Sequence, residues 1–244
     1  MRNLRLDICY DGTRYKGFQR LSNSDQTIQF RLEQTLSRLL GEPIEVSGSG
    51  RTDAGTHALG QTVSFHCQSS MPCDEILAGL RMYLPEDIGV YFCKNASPRF
   101  HARLNALKKT YRYRLWNSVQ PCVFDRKYVY VYREKLDVAA MKRAAVHYVG
   151  THDFAAFCSN KKMKKSTIRT IECFDVEEKD NEIIFTVTGN GFLQHMVRIM
   201  VGTLLEIGEG KRAVQEMDKL FSAERALAGP AVPACGLCLM EVTY

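Results

Sequence analysis

Ser47-Gly48-Ser49-Gly50-Arg51-Thr52-Asp53-Ala54-Gly55-Thr56-His57-Ala58-Leu59-Gly60 joins two β-prone runs, Ile44-Glu45-Val46 before it and Thr62-Val63-Ser64-Phe65 after it. No helix fits between them. Strands that follow one another in this way argue for antiparallel pairing and the α+β class. The loop also carries chemistry. It has little apolar surface to bury, and its glycines let the backbone take unusual angles or let a ligand approach. Asp53 stands two residues from Arg51, and a nearby guanidinium favours the charged form of a carboxylate. A carboxylate so placed serves as nucleophile, base, metal ligand or half of a structural ion pair. Spacing alone leaves these roles open.

Outward from the loop, the N-terminal side alternates as Leu4, Leu6, Ile8, Tyr10, a half-buried strand ending in the turn signal Asp11-Gly12-Thr13. Ile28, Leu32, Leu36, Leu39 and Leu40 share one helical face, with Ser24 or Asp25 as N-cap and Gly41 as the stop. On the other side, Asp74–Leu84 reads as a short helix closed by Pro85, and Ile88–Phe92 as a strand. After Asn95-Ala96-Ser97-Pro98 a similar grammar begins again. Thr110–Trp116 alternates, and Tyr128–Tyr132 is β-rich. Asp137–Val149 is an amphipathic helix with Asp137 as its cap and Gly150 as its end, and Thr170–Glu177 with Glu182–Thr188 forms a hairpin. Phe192–Ile207 is a long apolar helix, Asp218–Ala228 is partly helical, and Leu237–Val242 is a final strand. The expected architecture is two α/β subdomains on mainly antiparallel sheets, residues 1–100 and 101–244. A cleft between two such halves is a usual place for a ligand.

Composition sets bounds. The 244 residues are 45% hydrophobic, enough for a core, and the net charge of +6 permits a polyanionic partner without demanding one. No apolar run is long enough to cross a bilayer, and Met1-Arg2-Asn3-Leu4-Arg5-Leu6-Asp7 is too polar for a signal peptide. Nine scattered cysteines fit reduced thiols in a cytoplasmic protein. Cys235-Gly236-Leu237-Cys238 has metal or redox spacing, but no second ligand pair accompanies it and its continuation alternates like a strand.

Gly48-x-Gly50 is no dinucleotide fingerprint, and neither a phosphate-binding Gly-Lys-Ser/Thr loop nor a His-Glu-x-x-His motif occurs. His57 lies four residues after Asp53, but Gly55 argues against the helix a metal pair would need there. In Lys108-Lys109-Thr110-Tyr111-Arg112-Tyr113-Arg114, alternation puts the tyrosines on one face and the arginines on the other. The pattern fits core tyrosines under a solvated basic face, and it also fits a base-stacking platform beside a phosphate-binding surface. Lys161-Lys162-Met163-Lys164-Lys165 is a solvated loop or, with an RNA partner, a backbone contact. Arg198 and His195 interrupt a very apolar helix. An arginine there wants an acid; Asp53 is an acid still in need of a role, and any nearby Asp or Glu would serve equally well.

Gly50-Arg51-Thr52-Asp53-Ala54-Gly55-x-His57-Ala58-x-Gly60-Gln61 resembles the signature of the tRNA pseudouridine synthase A family. Further segments agree in order: Tyr10-Asp11-Gly12-Thr13-x-Tyr15-x-Gly17-Phe18-Gln19, Phe100-His101-Ala102-Arg103, Lys109-Thr110-Tyr111-Arg112-Tyr113, the Phe192–Gly202 segment and Gly236-Leu237-x-Leu239. The resemblance implies a pseudouridine synthase fold and a cytoplasmic homodimer that needs neither metal nor organic cofactor. It implies isomerisation of uridine to pseudouridine at tRNA positions 38, 39 and 40, in the anticodon arm. Asp53 is then the catalytic residue, Tyr111 stacks on the target base, Arg198 pairs with the aspartate, and Arg51 touches RNA or braces Asp53. Attack at the uracil C6, attack at C1′ and a glycal route are all compatible with these residues. The alternatives are a paralogue acting on another RNA and a non-catalytic RNA-binding relative. A glycosidase would want a second positioned acid, which the loop does not offer. The chain departs from the family pattern at Thr56, where valine is more usual, at Asn105-Ala106, and at Leu21-Ser22-Asn23-Ser24-Asp25.

Overall fold

The computed structural model describes residues 1–160, 165–221 and 224–244. The lysine-rich run from Lys161 to Lys164 lies outside them. Two units divide the chain, Met1–Leu107 with Cys238–Tyr244, and Lys108–Leu237.

In the first unit β1 (Arg2–Tyr10) buries Leu4, Leu6, Ile8 and Tyr10, as its period of two requires. Helix α1 (Ile28–Leu40) follows a long loop. Its N-cap is Thr27, whose hydroxyl accepts from the Phe30 N–H at 3.3 Å. Ser24, one of the two expected caps, instead accepts from the Gln26 N–H. Strand β2 (Val46–Gly48) leads into the glycine loop and β3 (His57–Cys67) leaves it. Then come α2 (Cys73–Tyr83) and β4 (Ile88–Asn95). β1 pairs antiparallel with both β3 and β4, and β2 pairs antiparallel with β3.

The second unit opens with β5 (Lys108–Trp116) and a two-residue β6 (Tyr130–Val131), which is all the structure makes of the β-rich Tyr128–Tyr132 run. Helix α3 (Val138–Ala145) is capped by Asp137, as expected. Strand β7 (Gly150–Asp153) has no counterpart among the expected elements. β8 (Ile168–Lys179) and β9 (Glu182–Gly189) form the expected hairpin. β5 pairs with β9, β9 with β8, and β8 with β7, all antiparallel, while β6 joins β5 in parallel. Helix α4 (Met196–Gly208) is buried almost all round, and the short α5 (Met217–Leu220) follows. In the same core Tyr148 stacks on Phe174 at 5.2 Å and meets Phe157 and Phe221 edge-on.

The last strand, β10 (Leu237–Thr243), runs parallel to the start of β3, pairing Cys238 with His57 and Leu239 with Ala58. The carboxyl-terminal residues thus complete the first unit, where the Tyr244 hydroxyl donates to the Ala102 carbonyl. The fold is α+β with a mostly antiparallel sheet, as the sequence indicated.

Candidate active site

The Asp53 loop is held from several sides. Behind it, the buried Glu33 of α1 accepts from Arg20, from Gln29 and from the Val46 N–H, which ties helix, preceding loop and β2 together. At the loop entrance the Ser49 N–H donates to the Thr62 carbonyl, and the Ser49 hydroxyl bonds the Gln61 side chain. Gln61 Nε2 also reaches the Gly50 carbonyl at 3.0 Å.

Thr52 is the inner anchor. Its hydroxyl lies 2.8 Å from the Tyr10 hydroxyl, and its carbonyl accepts from the Phe18 N–H. Burial pushes the Tyr10 phenol well above its usual range, so this hydroxyl stays protonated. Gly17 lies against the same carbonyl. Its φ of +101° is one that few L-residues adopt, and a Cβ there would come 2.7 Å from the Thr52 oxygen. The Gly55 N–H donates to the Tyr15 carbonyl, and the Thr56 N–H closes a turn on the Asp53 carbonyl at 3.1 Å. The Tyr10–Gln19 segment is therefore the bed on which the loop is moulded. At its exit the buried His57 accepts the Gly12 N–H at Nδ1, 3.1 Å away, with Asp11 Oδ1 at 3.2 Å.

Asp53 emerges from this frame half-buried, between the buried Thr52 and the exposed Ala54. Arg51 is exposed. Thr56 is 1% exposed and faces no solvent at all.

In the second unit, alternation on β5 buries Tyr111 and Tyr113 and exposes Arg112. Tyr111 meets Phe192 edge-on at 5.1 Å. Arg114 is occupied by Glu182, through Nε at 2.8 Å and Nη2 at 2.6 Å, so the basic face is less open than alternation suggested. α4 begins at Met196 rather than at Phe192, because His195 takes a φ of +62° and turns the chain. His195 is half-buried and its Nδ1 lies 2.9 Å from the Ser159 hydroxyl. Arg198 stands in the first turn of α4, half-buried, and donates from Nε to the Val232 carbonyl at 2.7 Å. The Tyr113 hydroxyl takes the next carbonyl, Pro233, at 2.8 Å. Arg198 and Tyr113 thereby grip two consecutive peptides of one loop. No signal in the sequence pointed to that loop as their partner. Among the described residues no group of three or more His, Cys, Asp or Glu could hold a metal ion.

A family model described as tRNA pseudouridine synthase matches residues 8–104 and 144–244. The chain belongs to this family. It is 45% identical to tRNA pseudouridine synthase A 1 of Clostridium tetani, each chain covered in full. Identity to tRNA pseudouridine synthase A of Halalkalibacterium halodurans is also 45%, over 97% of this chain and 90% of that one. To tRNA pseudouridine synthase A 2 of Bacillus cereus it is 41%, again over both chains in full. Arg51, Asp53 and Arg198 fall inside the matched segments of the family model. Tyr111 falls between them, in a stretch that the full-length relatives do cover.

Proposed function

We infer that this protein is a tRNA pseudouridine synthase, an isomerase that turns uridine into pseudouridine. The full-length likeness to enzymes of that name carries the reading, and the anchored Asp53 loop supports it. In the isomerisation the bond from the ribose C1′ to N1 breaks, one from C1′ to C5 forms, C5 gives up its proton, and N1 takes one up. No atom is gained or lost overall. We take the substrate to be adjacent uridines of the tRNA anticodon arm, the enzyme to be a homodimer and its compartment the cytoplasm. No helix among the described residues is long and apolar enough to cross a membrane.

The chemistry assigns the parts. The uracil must leave its stack, at a cost of a few kcal/mol. Tyr111, backed by Phe192, supplies the aromatic surface that offsets this cost. Asp53 is the nucleophile, held by a backbone that is fixed on both sides of it. Arg198 is its charge partner, and the Val232 carbonyl orients the guanidinium. Arg51, exposed, meets the RNA backbone. Enclosure of the freed ring keeps water from the sugar while the base rotates. Of the departures from the family pattern, Thr56 is buried, and Asn105 is engaged in a local turn with His101. Asn105 and the 21–25 segment offer the exposed changes.

The test uses a tRNA transcript carrying uridine tritiated at C5. The wild-type protein releases tritium and places pseudouridine in the anticodon arm. Asp53→Asn binds the same transcript and releases none. Tritium release by Asp53→Asn would remove Asp53 from the role, and modification confined to another RNA would remove the anticodon arm.

A further inference from the structure

Asp87 lies outside the site, in the turn between α2 and β4 that the Ile88 N–H closes on the Pro85 carbonyl. Its polar atoms reach back to the segment under the Asp53 loop. Oδ1 accepts the Tyr15 hydroxyl at 2.6 Å, and Oδ2 accepts the Arg14 guanidinium, from Nε at 3.0 Å and from Nη2 at 2.5 Å. The Asp87 carbonyl accepts the Asp11 N–H at 2.9 Å. One residue thus holds both ends of the 3-10 turn Gly12–Arg14. The Asp87 side chain is half-buried and Tyr15 is buried, and charge-assisted bonds of this kind are the strong ones. Burial, and then the Asp87 carboxylate, hold the Tyr15 phenol far above its usual range, so the hydroxyl remains a donor. The clamped turn meets the loop on its outgoing side. The Tyr15 carbonyl accepts the Gly55 N–H at 3.2 Å, and the Gly12 N–H donates to His57 Nδ1. Gly55 stands two residues beyond Asp53. The Thr56–Asp53 backbone bond is internal to the loop and cannot place it against the frame, whereas the Tyr15–Gly55 bond does.

We propose that Asp87, given Asp53 as the nucleophile, is the residue that positions it, acting through Tyr15 and the Gly55 amide. Asp87 needs no contact with base or sugar for this. Its carboxylate fixes the Tyr15 side chain, and the side chain fixes the main chain that carries it. The Tyr15 carbonyl then holds Gly55, and with it the direction in which the backbone aims the Asp53 carboxylate. A reacting group misplaced by about 1 Å can lose about a hundredfold in rate. Loosening the clamp leaves the RNA-facing side chains in place, so the loss falls on kcat and spares KM.

The test measures tritium release from the C5-labelled tRNA transcript by the full chain, and hydrogen–deuterium exchange of the free protein in the peptide containing Gly55. Tyr15→Phe and Asp87→Ala each lower kcat about tenfold and leave KM within about twofold, and the double variant is no slower than either. Asp87→Asn, whose amide oxygen still accepts the Tyr15 hydroxyl, keeps kcat within about threefold of wild type. Exchange at Gly55 quickens about tenfold in Tyr15→Phe and in Asp87→Ala, and that of the β8–β9 hairpin does not change. Tyr15→Phe removes a single hydroxyl, so it carries the same test if Asp87→Ala does not fold. Wild-type kcat and wild-type Gly55 protection in these variants overturn the proposal, as does a double variant slowed by the product of the two single effects. Equal losses in Asp87→Asn and Asp87→Ala overturn the route through Tyr15. A wild-type protein that releases no tritium removes the reading of Asp53 instead, and the Gly55 exchange still decides whether Asp87 holds the loop.

Discussion

Thr56 carries a hydroxyl into the interior of the Asp53 loop and finds nothing there to bond. The residue is 1% exposed, and its Oγ1 is one of two buried side-chain polar atoms without a partner among the described residues. A buried hydroxyl that loses water without gaining a hydrogen bond costs roughly 1–3 kcal/mol. Valine has nearly the same shape and no such group. Thr56→Val is therefore expected to stabilise the protein by about 1 kcal/mol, and to raise Tm by roughly 2–4 °C for a chain of this size. Thermal melts of the two proteins, followed by circular dichroism, check it. A lower Tm for the variant would mean that the hydroxyl has found a partner, such as a buried water. The position also changes how the family departure reads. A side chain sealed from solvent cannot touch RNA, so Thr56 bears on packing within the loop rather than on the choice of uridine.

Helix α4 shows best what periodicity reveals and what it hides. Its existence was legible, because an apolar run of that length has to be buried, and a helix buries it with its backbone hydrogen bonds already made. Arg198 was legible as a chemical oddity within the run. The helix start was not. Phe192 and Leu193 carry the apolar run on across Gln194 and His195, and the break comes from the backbone at His195, which takes a positive φ. Asp137 was readable as a cap because it directly precedes its helix, whereas Thr27 was hidden by two equally good candidates upstream. β7 escaped because Gly150-Thr151-His152-Asp153 is short and polar and lies at an edge, where little is buried. The same division runs through the site. Asp53 was visible as a carboxylate in a glycine-rich loop, but the Tyr10–Thr52 bond spans 42 positions and leaves no local trace. Gly202 belongs with these long-range cases. A Cβ on it would lie 1.9 Å from the Pro230 oxygen, because the loop that Arg198 and Tyr113 hold runs directly over the helix there. Gly202→Ala is expected to cost about 1–3 kcal/mol by overpacking, even though alanine favours helix. The urea midpoint measures it. A midpoint equal to or above wild type would show that the loop yields freely, and would undercut its role in orienting Arg198.

At the scale of the whole chain, both units place phenols where a phenolate has no support. Burial raises the Tyr10 phenol in the first unit, and the Tyr113 and Tyr148 phenols in the second, far above the ordinary tyrosine range. Two of these hydroxyls donate to carbonyls, Tyr113 to Pro233 and Tyr148 to Met200 at 3.2 Å. Deprotonation would set an oxyanion against an oxygen lone pair as well as strip it of water. A folded pKa above the unfolded value of about 10 means that the stabilisation is complete below that pH and is lost as pH rises beyond it. The unfolded chain then ionises while the folded chain cannot. Stability should hold to about pH 10 and fall steeply above it, with both units affected because each contains such a group. Absorbance at the phenolate band, recorded with far-ultraviolet circular dichroism across an alkaline titration, gives the check. The more exposed of the eleven tyrosines should titrate first, without loss of secondary structure. The remaining phenolate signal should appear only together with the loss of helix and strand signal, since these tyrosines ionise by unfolding. Smooth ionisation of all eleven in a protein that keeps its circular dichroism would mean that water reaches the buried phenols in the folded state. The bond between Tyr10 and Thr52 would then be too open to hold the Asp53 loop in place.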